Sequence, residues 1–202
     1  SEHLLDWSTR EMYRSEGGFY SAIDAGKFDH EGVYYVWHYS ELKKVLSKED
    51  FDFLITHFDI TSDGNFENNK NVLNLAENAS LDILNTKRFK AIRDTLMKVR
   101  QKRNYPHLDD KIIVSWNGRM MAALCKAYQV LGDDRYLDQA QKTAMFIKQS
   151  LWNKKDGLQR NWRDDHSFGS AIINDYAFLI DGLIALYQAD FNEDWLGWAI
   201  EL

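Results

Sequence analysis

The stretch that decides the fold reads Tyr105-Pro106-His107-Leu108-Asp109-Asp110-Lys111-Ile112-Ile113-Val114-Ser115-Trp116-Asn117-Gly118. It concentrates polar and aromatic side chains directly before an apolar run with helical periodicity, which predicts a helix from about Asn117 to Leu131. Pro106 is the only proline of the chain; it fixes the approach and disfavours helix at Tyr105. The loop is therefore placed to present side chains at the start of that helix.

This helix has a counterpart further along the chain, about one helical hairpin away. Trp116-Asn117 aligns with Asp175-Tyr176, Tyr128-Gln129 with Tyr187-Gln188, and Tyr136-Leu137 with Trp195-Leu196. Such self-similarity is typical of repeated helical hairpins. In both windows the turn between helices is short and the connection into the first helix is long, which puts the long loops on one face. Long ordered loops are where binding and catalysis usually lie.

The rest of the chain reads mostly as helix. Apolar spacing predicts a helix through Leu4 to Tyr13, and Ser47 with Asp50 resembles a capping box. The remaining predictions are a small β hairpin from Phe19 to Ile23 and Val33 to Trp37, a connecting loop with Asp24, Lys27, Asp29 and Glu31, and a basic helix from Thr86 to Arg103 with a solvated outer face. We expect one domain over residues 1–202, mainly α. Stacked hairpins form a solenoid or an α/α toroid, and the β insertions favour a partial toroid.

Composition excludes several classes of function. Hydrophobic residues make up 45% and charged residues 28% of the 202 residues, which is enough for one sizeable core. The net charge is −6 and no basic stretch is interleaved with aromatics, so neither nucleic acid nor a membrane surface is expected as a partner. The single Cys125 lies in an apolar helix and predicts a buried thiol in a reducing, cytoplasmic setting.

No cofactor or metal is expected. The six histidines lack zinc-site spacing, and nucleotide-binding fingerprints are absent. Asp59 begins a segment that resembles a calcium loop, but Lys70 stands at its twelfth position where a bidentate glutamate would be required. That segment should not bind calcium.

Several longer motifs resemble one known family. They are Glu16-Gly17-Gly18-Phe19-Tyr20-Ser21-Ala22, Glu31-Gly32-Val33-Tyr34-Tyr35-Val36-Trp37, Gly64-Asn65-Phe66-Glu67, Ser115-Trp116-Asn117-Gly118 and Asp175-Tyr176-Ala177-Phe178. In this order they resemble the thioredoxin-domain-containing proteins related to spermatogenesis-associated protein 20. The resemblance implies a section of a six-hairpin α/α toroid, similar to N-acylglucosamine 2-epimerase and to six-hairpin glycosidases. It also implies that the family's thioredoxin-like domain lies outside this chain. We expect the fragment to self-associate through the surfaces that missing hairpins would cover.

The candidate site combines the repeat with this resemblance, which implies a funnel at one end of the inner helices. Asp110 and Asp175 are the catalytic candidates. The substrate-binding candidates are Glu16, Asp24, Tyr35, Trp37, His107, Trp116, Asn117 and Tyr176. Carboxylates accept hydrogen bonds from sugar hydroxyls and aromatic faces cover sugar C–H patches, so this set favours a carbohydrate ligand. Where relatives usually carry Asp-Ala-Asp and Asp-Asp-Tyr-Ala, this chain has Asp24-Ala25-Gly26 and Asn174-Asp175-Tyr176-Ala177, which removes one carboxylate from each motif.

Each candidate also has a purely structural explanation. Asp110, Asn117 and Asp175 suit helix N-termini, where capping is worth about 1 kcal/mol without any ligand. Tryptophans such as Trp37 and Trp116 usually pack, and His107 would serve as a base for epimerisation but a lone loop histidine is usually solvated. Two functions therefore stay open: a carbohydrate-binding or carbohydrate-processing section, and a non-catalytic scaffold that binds a protein partner or positions the thioredoxin-like domain.

Overall fold

A computed structural model describes residues 2–26 and 32–202. Its α-helices are α1 (Glu2–Met12), α2 (Tyr39–Val45), α3 (Lys48–His57), α4 (Lys87–Arg100), α5 (Val114–Leu131), α6 (Asp134–Ser150), α7 (Ile173–Asp190) and α8 (Glu193–Glu201). Its strands are β1 (Tyr20–Ile23), β2 (Trp37–His38), β3 (Lys70–Asn71), β4 (Leu108–Ile113), β5 (Trp152–Asn153), β6 (Gly157–Arg163) and β7 (His166–Ser170). The mainly helical fold with small antiparallel β hairpins is confirmed.

The chain divides into two compact units. The first unit comprises Ser1–Ala22 with Leu108–Leu202, and the second comprises Ile23–His107. Each unit has its own cluster of buried apolar side chains. The expected single domain over residues 1–202 stays a prediction.

The helical repeat of the first unit is confirmed. The starts of α5 and α7 lie 59 residues apart, and so do their ends. After both helices the next residue, Gly132 or Phe191, takes the left-handed conformation, and its amide bonds to Tyr128 O or Tyr187 O. A short turn then leads into α6 or α8. The pairs α5–α6 and α7–α8 are two successive hairpins of the partial α/α toroid that the sequence predicts.

The inner helices α5 and α7 pack in parallel. Ser115 N donates to Asp175 Oδ1 near their first turns, and Gln129 Nε2 donates to Gln188 O near their last turns. Between these contacts the backbones touch, because a β-carbon on Gly182 would lie 2.5 Å from the Gly118 carbonyl oxygen. Glycine is therefore required at this crossing.

The long connections into the inner helices form a sheet together with β1. Its order is β1-β4-β6-β5, with β7 paired to β6. Antiparallel pairing sets Ile112 opposite Trp162 and Asn161 opposite Phe168. Strand β4 leads straight into α5, while the β6–β7 hairpin precedes α7. The sheet thus fixes where both helices begin.

The predicted hairpin from Phe19–Ile23 to Val33–Trp37 is wrong. Strand β1 pairs with β4, whereas β2 pairs with β3, and residues 32–35 form a turn. The cause is visible at Arg103, whose Nη1 donates to the carbonyls of Val33, Tyr34 and Val36 and thereby occupies acceptors that a hairpin would need. Lys27, Asp29 and Glu31 of the predicted loop lie outside the described residues.

The predicted solvated face of the basic helix is confirmed at Lys87, Lys90 and Lys98, which are exposed, but Arg103 is an exception. Helix α4 ends at Arg100, and the Arg103 side chain is only 19% exposed. Its guanidinium lies 4.1 Å from the centre of the Trp37 ring, and Nη2 donates to both carboxylate oxygens of Glu41. A bidentate pair of this kind orients both partners. Arg103 therefore links the turn at residues 32–35 and Glu41 to Trp37, a core residue of the second unit.

Asparagines fix the loop that resembles a calcium site. Asn71 exchanges hydrogen bonds with the backbone of Thr61, and Asn65 accepts from Val72 N and donates to Val72 O. These contacts connect the two ends of the loop. Among the described residues, no group of three or more His, Cys, Asp or Glu side chains is arranged to hold a metal ion. Nor do the described helices include one with the length and apolarity needed to span a membrane.

Candidate functional site

The first turns of α5 and α7 meet at Asp175. This side chain is completely buried at the third position of α7, where its Oδ2 accepts from Ile172 N at 3.0 Å and its Oδ1 from Ser115 N at 3.3 Å. Arg160 Nε lies 3.9 Å from Oδ2. The Ile172 side chain has no atom that could accept a hydrogen bond from the helix. Instead, the backbone carbonyl of Ile172 accepts from Asp175 N. Both oxygens of Asp175 thus tie two helix starts together, which favours the capping interpretation.

Asp110 has a different environment. It lies on β4, four residues before the first residue of α5, and its side chain is half-exposed. Arg163 Nε is 2.7 Å from its Oδ1, in an ion pair whose angles are not those of a hydrogen bond. Asp110 therefore does not cap α5, and of the two catalytic candidates it is the one that solvent reaches.

Asn117 anchors the Gly-Gly-Phe motif to α5. The Asn117 side chain is buried; its Oδ1 accepts from Phe19 N at 2.7 Å, while Nδ2 donates to Phe19 O and Ile113 O, both at 3.0 Å. At Gly17 a β-carbon would lie 2.5 Å from Lys142 O, so this turn sits directly on α6. Asn117 neither caps the helix nor offers a polar atom to a ligand, because its amide is fully engaged.

Trp116, by contrast, is 56% exposed. It borders a groove of about 390 Å³ in the first unit. Its aromatic and charged lining residues are Trp7, Phe19, Tyr20, Trp116 and Arg119. Helix α1 contributes Trp7 and β1 contributes Tyr20, so the N-terminal segment and the distant helix α5 together form the aromatic walls.

Three further residues beside this groove were missed by sequence reasoning. Arg119 Nη1 lies 3.4 Å from Asp181 Oδ2, and the Arg119 guanidinium carbon lies 5.2 Å from the centre of the Phe178 ring. The available signal was helical spacing: Arg119 follows Trp116 by three residues, and Asp181 follows Phe178 by three, so each pair shares one helix face. Only the parallel packing of α5 on α7 brings the two pairs together.

The remaining candidates of the first unit play peripheral roles. Tyr176 is half-buried, and its hydroxyl accepts from Leu158 N at 3.4 Å. Glu16 is exposed; its own backbone amide, the Ser15 hydroxyl and Arg14 lower the pKa of its carboxyl. Neither residue lines the aromatic groove.

Two other pKa shifts describe the interior of this unit. Burial, with the charge of Asp138, raises the pKa of Tyr13 to about 12. Burial alone would raise the pKa of Asp109, but hydrogen bonds from Lys111 and Ser21 outweigh it and hold that pKa below its usual value. Asp109 therefore stays ionised beside Lys111, whose Nζ is 3.1 Å away.

Four candidates lie in the second unit. Asp24 and His107 border a cavity of about 690 Å³ together with Tyr34 and Pro106, and Asp24 N donates to His107 O. Tyr35 packs edge-on against Tyr34, with ring centres 5.0 Å apart. Trp37 is buried in the core under Arg103, so packing accounts for it.

Sequence comparisons identify relatives over almost the whole chain. Human spermatogenesis-associated protein 20 is 30% identical across 98% of this chain, and its rat counterpart is 27% identical across 98%. The chain is homologous to spermatogenesis-associated protein 20. An uncharacterized protein of Caenorhabditis elegans is 29% identical across 96% of the chain. The chain spans about 30% of the length of these curated relatives. No protein-family model matches it.

Solved structures with a similar arrangement are more distant. Cellobiose 2-epimerase from Bacillus thermoamylovorans aligns with 97% of this chain and 50% of its own, at a TM-score of 0.44 and 12% identity. A D-mannose isomerase aligns with 98% of this chain and 47% of its own, at a TM-score of 0.40 and 14% identity.

Proposed function

We propose that the chain is a carbohydrate-binding section of a longer protein, and that the sugar binds in the groove beside Trp116. The observation that carries this proposal is the exposure of Trp116 at the start of α5, in a groove whose other walls include Trp7 and Tyr20. A large aromatic exposed in a concave site is costly to leave in water. A pyranose ring covers such a surface with its C–H face and keeps its hydroxyls solvated.

The burial of Asp175 argues for binding rather than for catalysis by the predicted acid pair. Both Asp175 oxygens already accept backbone hydrogen bonds, and the side chain is closed off from the groove's solvent. General acid or base catalysis requires a carboxyl group within hydrogen-bond reach of the substrate. Of the predicted acid pair only Asp110 is accessible, so a processing activity that used this pair would depend on Asp110.

Calorimetric titration tests the proposal. We expect the intact chain to bind at least one of glucose, mannose and cellobiose, and Trp116→Ala to weaken that binding at least tenfold. Phe191→Ala is the matched control, because Phe191 is an exposed aromatic that follows the opposite end of α7. The proposal fails if no sugar binds, or if the two variants lose affinity equally.

A scaffold role is the second candidate, and the exposed face of α7 favours it. Ile173 is exposed where its repeat counterpart Val114 is buried, and Ala177 is exposed where Gly118 is buried against α7. Ile184 is likewise exposed where Cys125 is buried. Three positions that are buried on α5 are thus exposed at the equivalent positions of α7.

In the isolated chain we propose that a second copy covers this face. Light scattering should then show a dimer or larger species, and Ile184→Lys should shift it toward monomer. Val130→Lys places the same charge on an exposed apolar position of α5 and should leave the assembly unchanged. A strictly monomeric wild type would refute self-association.

A further inference from the structure

The aromatic groove carries one charged side chain among its described lining residues, and that charge is already paired. Arg119 lines the groove beside Trp116, and its Nη1 is 3.4 Å from Asp181 Oδ2 on the neighbouring helix. Both side chains are open to solvent, at 63% and 55% exposure. An exposed ion pair of this kind contributes little to stability, so a ligand can insert into it at little cost.

The surroundings keep the Arg119 head group in place. Its guanidinium lies over the Phe178 ring, at 5.2 Å from the ring centre, and a cation prefers that face because of the ring quadrupole. A planar guanidinium offers five N–H donors and no acceptor, while a carboxylate offers only acceptors. Side by side, Arg119 and Asp181 can serve the two hydroxyls of one vicinal diol, one as donor and one as acceptor.

We propose that the Arg119–Asp181 pair makes this groove selective for neutral sugars over sugar acids. The inference rests on the proposed carbohydrate site and names the class of sugar that fits it. A neutral diol bridges the pair and leaves both charges compensated. A uronate carboxylate would have to displace Asp181 from Arg119 or lie beside it, and like charges at contact distance repel. Trp116 supplies the stacking surface for either sugar, so the pair alone sets the preference.

Glucose and glucuronate test this directly, because they share a ring and differ in the carboxylate at its sixth carbon. In calorimetric titrations of the intact chain we expect glucose to bind about tenfold more tightly, the scale of one hydrogen bond to a charged group. Asp181→Asn should reverse or abolish that preference by tightening glucuronate binding. Arg119→Gln should weaken both sugars. Asp156→Asn, which removes the same charge from the exposed turn before β6, should leave the ratio of the two affinities as in the wild type.

The outcomes separate this inference from the site itself. If Trp116→Ala abolishes glucose binding but Asp181→Asn leaves the ratio unchanged, the selectivity role is overturned and the carbohydrate site stands. Glucuronate binding as tightly as glucose to the wild type would also overturn it. If neither sugar binds the wild type and mannose and cellobiose fail as well, the carbohydrate site falls and the selectivity role with it.

Discussion

Gly118 and Gly182 bring the backbones of α5 and α7 into contact: a β-carbon on Gly182 would lie 2.5 Å from the Gly118 carbonyl oxygen and 3.2 Å from the Gly118 Cα. The 2.5 Å distance is shorter than an ordinary van der Waals separation. The parallel helix pair that positions Trp116, Arg119 and Asp181 therefore depends on two residues without side chains.

We expect Gly182→Ala to destabilise the chain by about 1–3 kcal/mol, the usual cost of overpacking a tight interface. The measurement is the midpoint of urea unfolding. Gly197→Ala in α8 is the control, because a β-carbon there meets nothing within 4 Å. Alanine at that helical position should raise stability by up to about 1 kcal/mol. Equal effects of the two variants would contradict the close packing of α5 on α7.

Asn117→Ala should destabilise the chain by about 1–3 kcal/mol, the cost of leaving buried polar groups without partners. The substitution removes the acceptor for Phe19 N and the donor to Phe19 O and Ile113 O. Asn174→Ala changes an exposed asparagine in the first turn of α7 and should be close to neutral. Thermal unfolding followed by circular dichroism distinguishes the two, and a neutral Asn117→Ala would refute the anchoring role.

Local sequence patterns predict the helices of this site but not the contacts between them. Helical spacing and the repeat located α5 and α7 and their equivalent starts, because both signals are local. The partner of Asn117 is Phe19, 98 residues away, and the partner of Arg119 is Asp181 on another helix. No pattern along one segment contains such pairings. Arg103 shows the same limit: its charge suggested a solvated face, yet its contacts with Trp37 and Glu41 bury it.

The role of Asp175 also changes once its partners are known. A simple N-terminal cap tolerates asparagine as well as aspartate. Here both carboxylate oxygens accept from backbone amides, and an asparagine side chain has one acceptor oxygen and a donor group instead. We therefore expect Asp175→Asn to lower stability by about 1–3 kcal/mol, measured by urea unfolding. Asp156→Asn is the exposed control, and sugar binding should be unchanged in both. A fully stable Asp175→Asn protein with weakened sugar binding would return Asp175 to the ligand site.

Cys125 gives a pH dependence. Burial, with the charge of Asp190, raises the pKa of its thiol from 9.0 to about 12. Above about pH 9 the thiol of the unfolded chain loses its proton, while the thiol of the folded chain keeps it. The contribution of Cys125 to the free energy of unfolding is therefore complete below pH 9 and falls as the pH rises toward 12. The Cys125→Ala variant should show a shallower loss of stability over that range. Iodoacetamide should modify the native thiol far more slowly than the unfolded one, since only the thiolate reacts. Rapid alkylation at neutral pH would contradict the burial.

The residues that follow α5 and α7 share a left-handed backbone but not a residue type. Gly132 has φ +70°, and its repeat counterpart Phe191 has φ +57°, although only glycine adopts this left-handed conformation without steric cost. A β-carbon on Gly132 meets nothing within 4 Å, so Gly132→Ala should cost about 1–2 kcal/mol purely through backbone strain. Phe191→Gly should relieve the same strain and raise the stability. The gain is reduced by the loss of the contact between the Phe191 and Tyr187 rings, whose centres lie 6.1 Å apart. Opposite shifts of the unfolding midpoint are expected; a loss of stability in Phe191→Gly comparable to that in Gly132→Ala would show that the aromatic contact outweighs the strain.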